Sequence, residues 1–170
     1  MRALVRHYLP DLVFGANDGI ITTFAVVSGV VGASLSNRII LILGFANLVA
    51  DGVSMGASNY LARRSEADAV EDPARWLVAR NGLATFAGFV TAGVIPLTAY
   101  LVPLPDDARY AVAIALTLCS LFLVGASRAF VRNRGFLRSG LEMLLVGSAA
   151  AALAYVVGAL AAELTGGQTL

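Results

Sequence analysis

Residues 12–31 read LVFGANDGIITTFAVVSGVV, an apolar run that is long enough to cross a bilayer and that carries an Asp-Gly step at Asp18. Residues 39–61 read IILILGFANLVADGVSMGASNYL and repeat this arrangement at Asp51. In a soluble protein an Asp-Gly step predicts a turn. Within a membrane helix, a carboxylate at the centre costs about 2.5–3.5 kcal/mol. Two acids on successive spans therefore indicate a path for ions or protons.

The composition of the chain is typical of a membrane protein. Of its 170 residues, 58% are hydrophobic and only 14% are charged. Backbone groups in lipid must be satisfied within each segment, so the apolar stretches are expected to be helices. These stretches leave no room for a separate soluble domain, and we expect residues 1–170 to form one all-α transmembrane domain. The five predicted spans are residues 12–31, 39–61, 81–102, 108–127 and 140–162.

The basic residues predict the orientation of the spans. All twelve are arginines. If the N-terminus and the links 62–80 and 128–139 are cytoplasmic, only Arg38 and Arg109 fall on the other side. Because positive residues accumulate on the cytoplasmic side, we expect a cytoplasmic N-terminus and an external C-terminus. The arginines flank membrane spans, and we expect no nucleic-acid partner.

Polar side chains of spans one and two are predicted to lie at successive depths in the membrane. Asn47, Asp51 and Met55 share one face of span two because they are four residues apart, and Ser58 or Asn59 extends that face. At the helical rise per residue, Asp18 lies about 10 Å from the cytoplasmic end of span one. Met55 is level with it at about 9 Å, and Asp51 is deeper at about 15 Å.

These side chains fit a divalent transition metal. Carboxylate and amide oxygens bind hard cations, and a thioether adds a preference for softer metals. The set favours Fe²⁺, with Mn²⁺, Co²⁺ and Zn²⁺ as alternatives. Acids that bind metal must be deprotonated, so Asp18 and Asp51 are also candidates for proton coupling. A structural role remains open for Met55 as a packing residue and for Asn47 as a hydrogen-bond donor between helices.

Glycines lie beside both acids. Gly15 and Gly19 on span one, and Gly52 and Gly56 on span two, have the four-residue spacing that lets membrane helices approach closely. We expect these glycines to pack spans one and two against each other where the acids lie.

Two further acids are candidates for the point at which metal enters from the cytoplasm. Glu66 belongs to the acidic cluster of the link 62–80, and Glu142 lies about one turn inside span five. Both also have local partners by spacing, since Arg63 is three residues before Glu66 and Arg138 is four residues before Glu142.

Two motifs carry a family resemblance. DLVFGANDGIITTFA at residues 11–25 and ADGVSMGASNYLARRSE at residues 50–66 resemble the vacuolar iron transporter family of plants and yeast and its bacterial relatives. Residues 93–97 and 141–158 resemble it more weakly. The resemblance implies a homodimer of five-helix subunits, with a path between the subunits lined by spans one and two. It also implies export of Fe²⁺ or Mn²⁺ from the cytosol, driven by inward proton movement.

The resemblance assigns roles to individual residues. The family's aspartate of span one corresponds to Asp18, and its methionine of span two corresponds to Met55. Plant members carry a membrane glutamate where this chain has Asn47, so Asp51 is the candidate replacement. Plant members also carry a long cytosolic metal-binding domain where this chain has only the link 62–80. A short, bacterial-type member implies a location in the bacterial inner membrane.

Other functions remain as alternatives. One is a membrane assembly protein whose acids and glycines only build a helix bundle, and another is a metal channel without proton coupling. We do not expect an enzyme, because the sequence contains no HExxH motif, no Ser/His pair and no ferritin-like Glu-x-x-His motif.

Overall fold

Helices account for every regular element in the part of the chain that the structure, a computed structural model, describes. That part comprises residues 2–69, 77–130 and 135–166. Arg75, Arg132 and Arg134 of the predicted cytoplasmic links lie outside it. The helices are α1 (Arg2–Gly32), α2 (Asn37–Ala69), α3 (Val78–Gly93), α4 (Ile95–Leu101), α5 (Asp106–Ser127) and α6 (Phe136–Leu164), with a 3₁₀ turn at Arg128–Phe130.

Five helical segments are long and apolar enough to cross a membrane, which confirms the predicted fold class. They are His7–Gly32, Asn37–Ala69, Val78–Leu101, Asp106–Ser127 and Phe136–Leu164. Each corresponds to one of the five predicted spans. The second is longer than predicted, because α2 continues past Leu61 to Ala69 through a charged, largely exposed segment.

The helix of the third span is interrupted at Val94. The span consists of α3 and α4, which meet at this residue. Pro96 has no backbone N–H, and in an α-helix its ring would clash with the carbonyl of Ala92 one turn earlier. The Leu97 N–H donates to the Val94 carbonyl at 3.0 Å, so the chain makes a tighter turn at this point.

Gly15 and Gly19 of α1 pack against α3. A methyl group added at Gly15 would collide with the carbonyl oxygen of Thr85, and one added at Gly19 would collide with that of Phe89. The two helix backbones are therefore in direct contact, as small residues allow in membrane proteins.

Gly52 and Gly56 of α2 also pack against α3. A methyl group at Gly56 would lie 2.9 Å from the Gly82 carbonyl oxygen, and one at Gly52 would lie 3.3 Å from the ring of Phe86. The prediction that the glycines join span one to span two is wrong. Glycine spacing indicates that a helix can be approached closely, but it does not say which helix approaches it.

Large apolar side chains cover much of the outer surface, as expected where a helix bundle meets lipid. They are most frequent on α2 and α6, and include Ile42, Leu43, Val49, Val53, Leu141, Leu145, Leu153, Val157 and Leu160. The interior cluster of Val27, Ile40, Leu97 and Ala113 is fully buried and joins α1, α2, α4 and α5.

Candidate functional site

An open groove of about 490 Å³ runs between α1 and α2. Two carboxylates, one thioether, two hydroxyls and one amide line it. Its residues are Phe14, Asp18, Asp51, Ser54, Met55, Ser58, Asn59 and Ala62.

The Asp-Gly steps explain how both acids reach the groove. Gly19 and Gly52 lie against α3, and each follows its aspartate directly. Successive residues of an α-helix are rotated by about 100°, so a glycine directed at α3 turns the preceding aspartate away from α3. Asp18 and Asp51 thereby line the groove together.

The structure brings together three of the four predicted metal ligands. Asp18, Asp51 and Met55 line the groove, whereas Asn47 is half-buried one turn from Asp51 and is not among the lining residues. The polar face of α2 thus continues from Met55 towards Asn59, in the direction away from Asn47.

Three polar side chains complete the groove on α2. Ser58 and Asn59 extend the polar face of α2 beyond Met55, as their spacing from Met55 predicts. Ser54 was missed, although its position three residues after Asp51 places it next to that acid on the helix surface.

Neither acid predicted at the point of metal entrance lines the groove. Glu66 is exposed on the charged end of α2, one turn beyond Ala62. Glu142 lies on α6, where its Oε1 is 3.3 Å from Nε of Arg138, which confirms the pair expected from their spacing.

Sequence reasoning missed a buried carboxylate next to the groove. Asp11 of α1 is only 4% exposed. Its Oδ1 accepts hydrogen bonds from Nη2 of Arg63 at 2.7 Å and from Nδ2 of Asn59 at 3.0 Å. Its Oδ2 accepts one from Nδ2 of Asn81 at 2.6 Å. Arg63 therefore pairs with Asp11, and the expected pairing with Glu66 is wrong.

Asn59 connects this buried network to the groove. Its Nδ2 lies 2.6 Å from Oγ1 of Thr85 and 3.4 Å from the Asn81 carbonyl oxygen. Its Oδ1 accepts a hydrogen bond from Nε of Arg63 at 3.3 Å. A side chain of the groove wall is thus held by partners on α1, α2 and α3.

The donor set of the groove combines two carboxylates with one thioether. Within residues 2–69, 77–130 and 135–166, no group of three or more His, Cys, Asp or Glu side chains could hold a metal ion. Resident structural metals usually have a closed shell of such ligands. Two acids and a thioether leave positions for water or further oxygens, which permits binding and release.

Comparison with known proteins relates this chain to a family. The chain matches the VIT family over residues 9–77 and 72–159, and the two matched segments meet in the link between α2 and α3.

Two named relatives illustrate the range of similarity. The chain is 26% identical to "Vacuolar iron transporter 1" of Arabidopsis thaliana, in a match that covers 85% of this chain and 82% of that protein. It is 48% identical over 64 residues to the "Vacuolar iron transporter" of Toxoplasma gondii. That second match covers 38% of this chain and spans only 21% of the length of the Toxoplasma protein.

The family match covers most of the chain and includes both helices that line the groove. Together with five helices of membrane-spanning length and apolarity, it identifies an integral membrane protein. The chain belongs to the VIT family.

Proposed function

We propose that the chain is a secondary transporter that moves Fe²⁺ or Mn²⁺ out of the cytoplasm in exchange for protons. The observation that carries this proposal is the groove in which Asp18, Asp51 and Met55 lie together. Acids within membrane spans are costly and usually mark a transport path. The names of the relatives, which are vacuolar iron transporters, support the same substrate class.

We further propose that a second copy of the chain covers the groove. Apolar side chains adjoin its acids, with Phe14 57% exposed and Val53 56% exposed. A groove of this kind facing hydrocarbon would place two carboxylates against lipid, at a high energetic cost. A homodimer with α1 and α2 at its interface would enclose the acids in a polar path, and twofold symmetry would double the set of ligands.

Proton exchange would follow from the chemistry of the acids. Asp18 and Asp51 bind a metal ion best when deprotonated, so metal binding would release protons and proton binding would release metal. A proton gradient directed into the cytoplasm would then drive metal in the opposite direction.

Reconstitution of the purified chain into proteoliposomes tests this function. Fe²⁺ or Mn²⁺ is added outside, a metal-sensitive dye reports its uptake, and a pH dye reports proton movement. Transport with exchange requires uptake and proton movement in opposite directions. Uptake without proton movement would indicate a channel, and the absence of uptake from a folded, inserted protein would indicate an assembly protein.

A further inference from the structure

The buried network around Asp11 extends the polar face that lines the groove. Asp11 lies seven residues before Asp18, so both acids share one face of α1 and are about 10 Å apart along its axis. On α2, Met55, Asn59 and Arg63 follow one another at four-residue spacing. The groove and the network around Asp11 therefore form one continuous polar strip between α1 and α2.

We propose that Asp11 is a charge-balancing and positioning residue for cation binding in the groove. It neutralises Arg63 beside the groove and holds Asn59 in the groove wall. This inference rests on the proposed function, since it assumes that a divalent cation occupies the groove.

The first part of the argument is the charge of Arg63. Its side chain is 37% exposed, and its Nε contacts Asn59, which lines the groove. Arg63 is eight residues from Met55, a separation of about 12 Å along the helix. An unpaired guanidinium at that distance would repel a divalent cation. Paired with Asp11 at 2.7 Å, it contributes little net charge, and the field of Asp18 and Asp51 dominates the groove.

The second part is the geometry of Asn59. Asp11, Thr85 and the Asn81 carbonyl all accept from its amide nitrogen, and Arg63 donates to its amide oxygen. The Asp11 side chain is only 5% exposed, and donors from α2 and α3 converge on it. Because buried charges persist only when they are paired and hydrogen-bonded, this carboxylate fixes the positions of its partners.

Mn²⁺ binding to the purified full-length chain in detergent tests the proposal, with free Mn²⁺ measured by electron paramagnetic resonance. Asp11→Asn keeps the size of the side chain and removes its charge. We expect it to raise the Kd for Mn²⁺ about tenfold at low ionic strength. High salt should shrink this increase, because salt screens repulsion from Arg63 and does not restore lost positioning.

The double variant Asp11→Asn with Arg63→Gln should recover most of the affinity, because the unbalanced cation is gone. Arg63→Gln alone should bind Mn²⁺ more tightly than the wild type, since it leaves the negative charge of Asp11 in place. Asp106→Asn is the matched control. It removes an acid that pairs with Arg109 near the opposite end of α2 and should leave the Kd unchanged.

The outcomes separate this proposal from the proposed function. If the wild-type chain binds neither Mn²⁺ nor Fe²⁺, both are overturned. If the wild type binds and Asp11→Asn has an unchanged Kd, only the role of Asp11 is overturned. If Asp11→Asn does not fold, weaker Mn²⁺ binding by a folded Arg63→Gln variant overturns the charge-balancing role.

Discussion

Asp18 and Asp51 occupy equivalent positions on two different helices, since each lies one residue before a glycine packed on α3 and each lines the same groove. The Asp-Gly step predicts a turn in soluble proteins. Here it lies within a helix, and its glycine packs against α3. The glycine brings its helix onto α3, and the helical rotation of about 100° per residue turns the acid away from α3. The same two-residue unit, used twice, thus places two carboxylates in one groove.

Removal of either groove carboxylate should impair metal transport. We expect Asp18→Asn to abolish uptake of Fe²⁺ and Mn²⁺ into proteoliposomes and Asp51→Asn to reduce it at least about tenfold, because each variant removes a charged ligand. Metal-sensitive dyes report the uptake, and Asp106→Asn is the control. Unchanged uptake by a folded Asp18→Asn variant would rule out the assigned path.

The thioether of Met55 should discriminate between metals. Met55→Leu keeps the volume of the side chain and removes its sulfur, which binds softer metals better than hard ones. We expect a larger loss of Fe²⁺ uptake than of Mn²⁺ uptake, measured side by side in the same vesicles. Equal losses for the two metals would argue against coordination by sulfur.

Acid should weaken metal binding. Protons compete with metal for Asp18 and Asp51, so the affinity for Mn²⁺ should decrease as the pH is lowered. A titration of Kd against pH in detergent measures this dependence. The dependence should become shallower in Asp51→Asn, which loses one of the two competing acids, and a Kd that is constant with pH in the wild type would contradict proton coupling at these acids.

The contact between α1 and α3 should tolerate no added methyl group. Gly15→Ala would bring its Cβ into the carbonyl of Thr85, and such overpacking typically costs about 1–3 kcal/mol of unfolding free energy. A lower Tm, followed by circular dichroism in detergent, is expected. Gly29→Ala on the same helix is the control, because its added methyl would make an ordinary 3.5 Å contact.

If α1 and α2 form a homodimer interface, a cysteine placed beside the groove should cross-link the two subunits. Val53 is exposed on α2 between Asp51 and Met55. In a Cys119→Ser background, Val53→Cys should form a disulfide-linked dimer in membranes. Leu153→Cys, on the exposed face of α6, is the comparison and should cross-link far less. Equal cross-linking at both positions would argue against an interface at the groove.

The sequence was sufficient to predict the helices and most of the groove. Apolar length predicts spans, and four-residue spacing predicts that Asp51, Met55 and Asn59 share a face. It could not predict the partner of Arg63, because local spacing favoured Glu66 and the actual partner, Asp11, lies 52 residues away. The packing of α3 against the glycines of α1 and α2 could not be predicted for the same reason, because these contacts join residues that are distant in the chain.

The close contacts of α1 and α2 with α3 also have a mechanical consequence. Backbones that touch at Gly15, Gly19 and Gly56 cannot slide or separate without losing their packing along a whole helix face. We therefore expect spans one to three to move together, without a hinge between them. In the homodimer proposed above, exposure of the groove to alternate sides of the membrane would then require one subunit to move against the other.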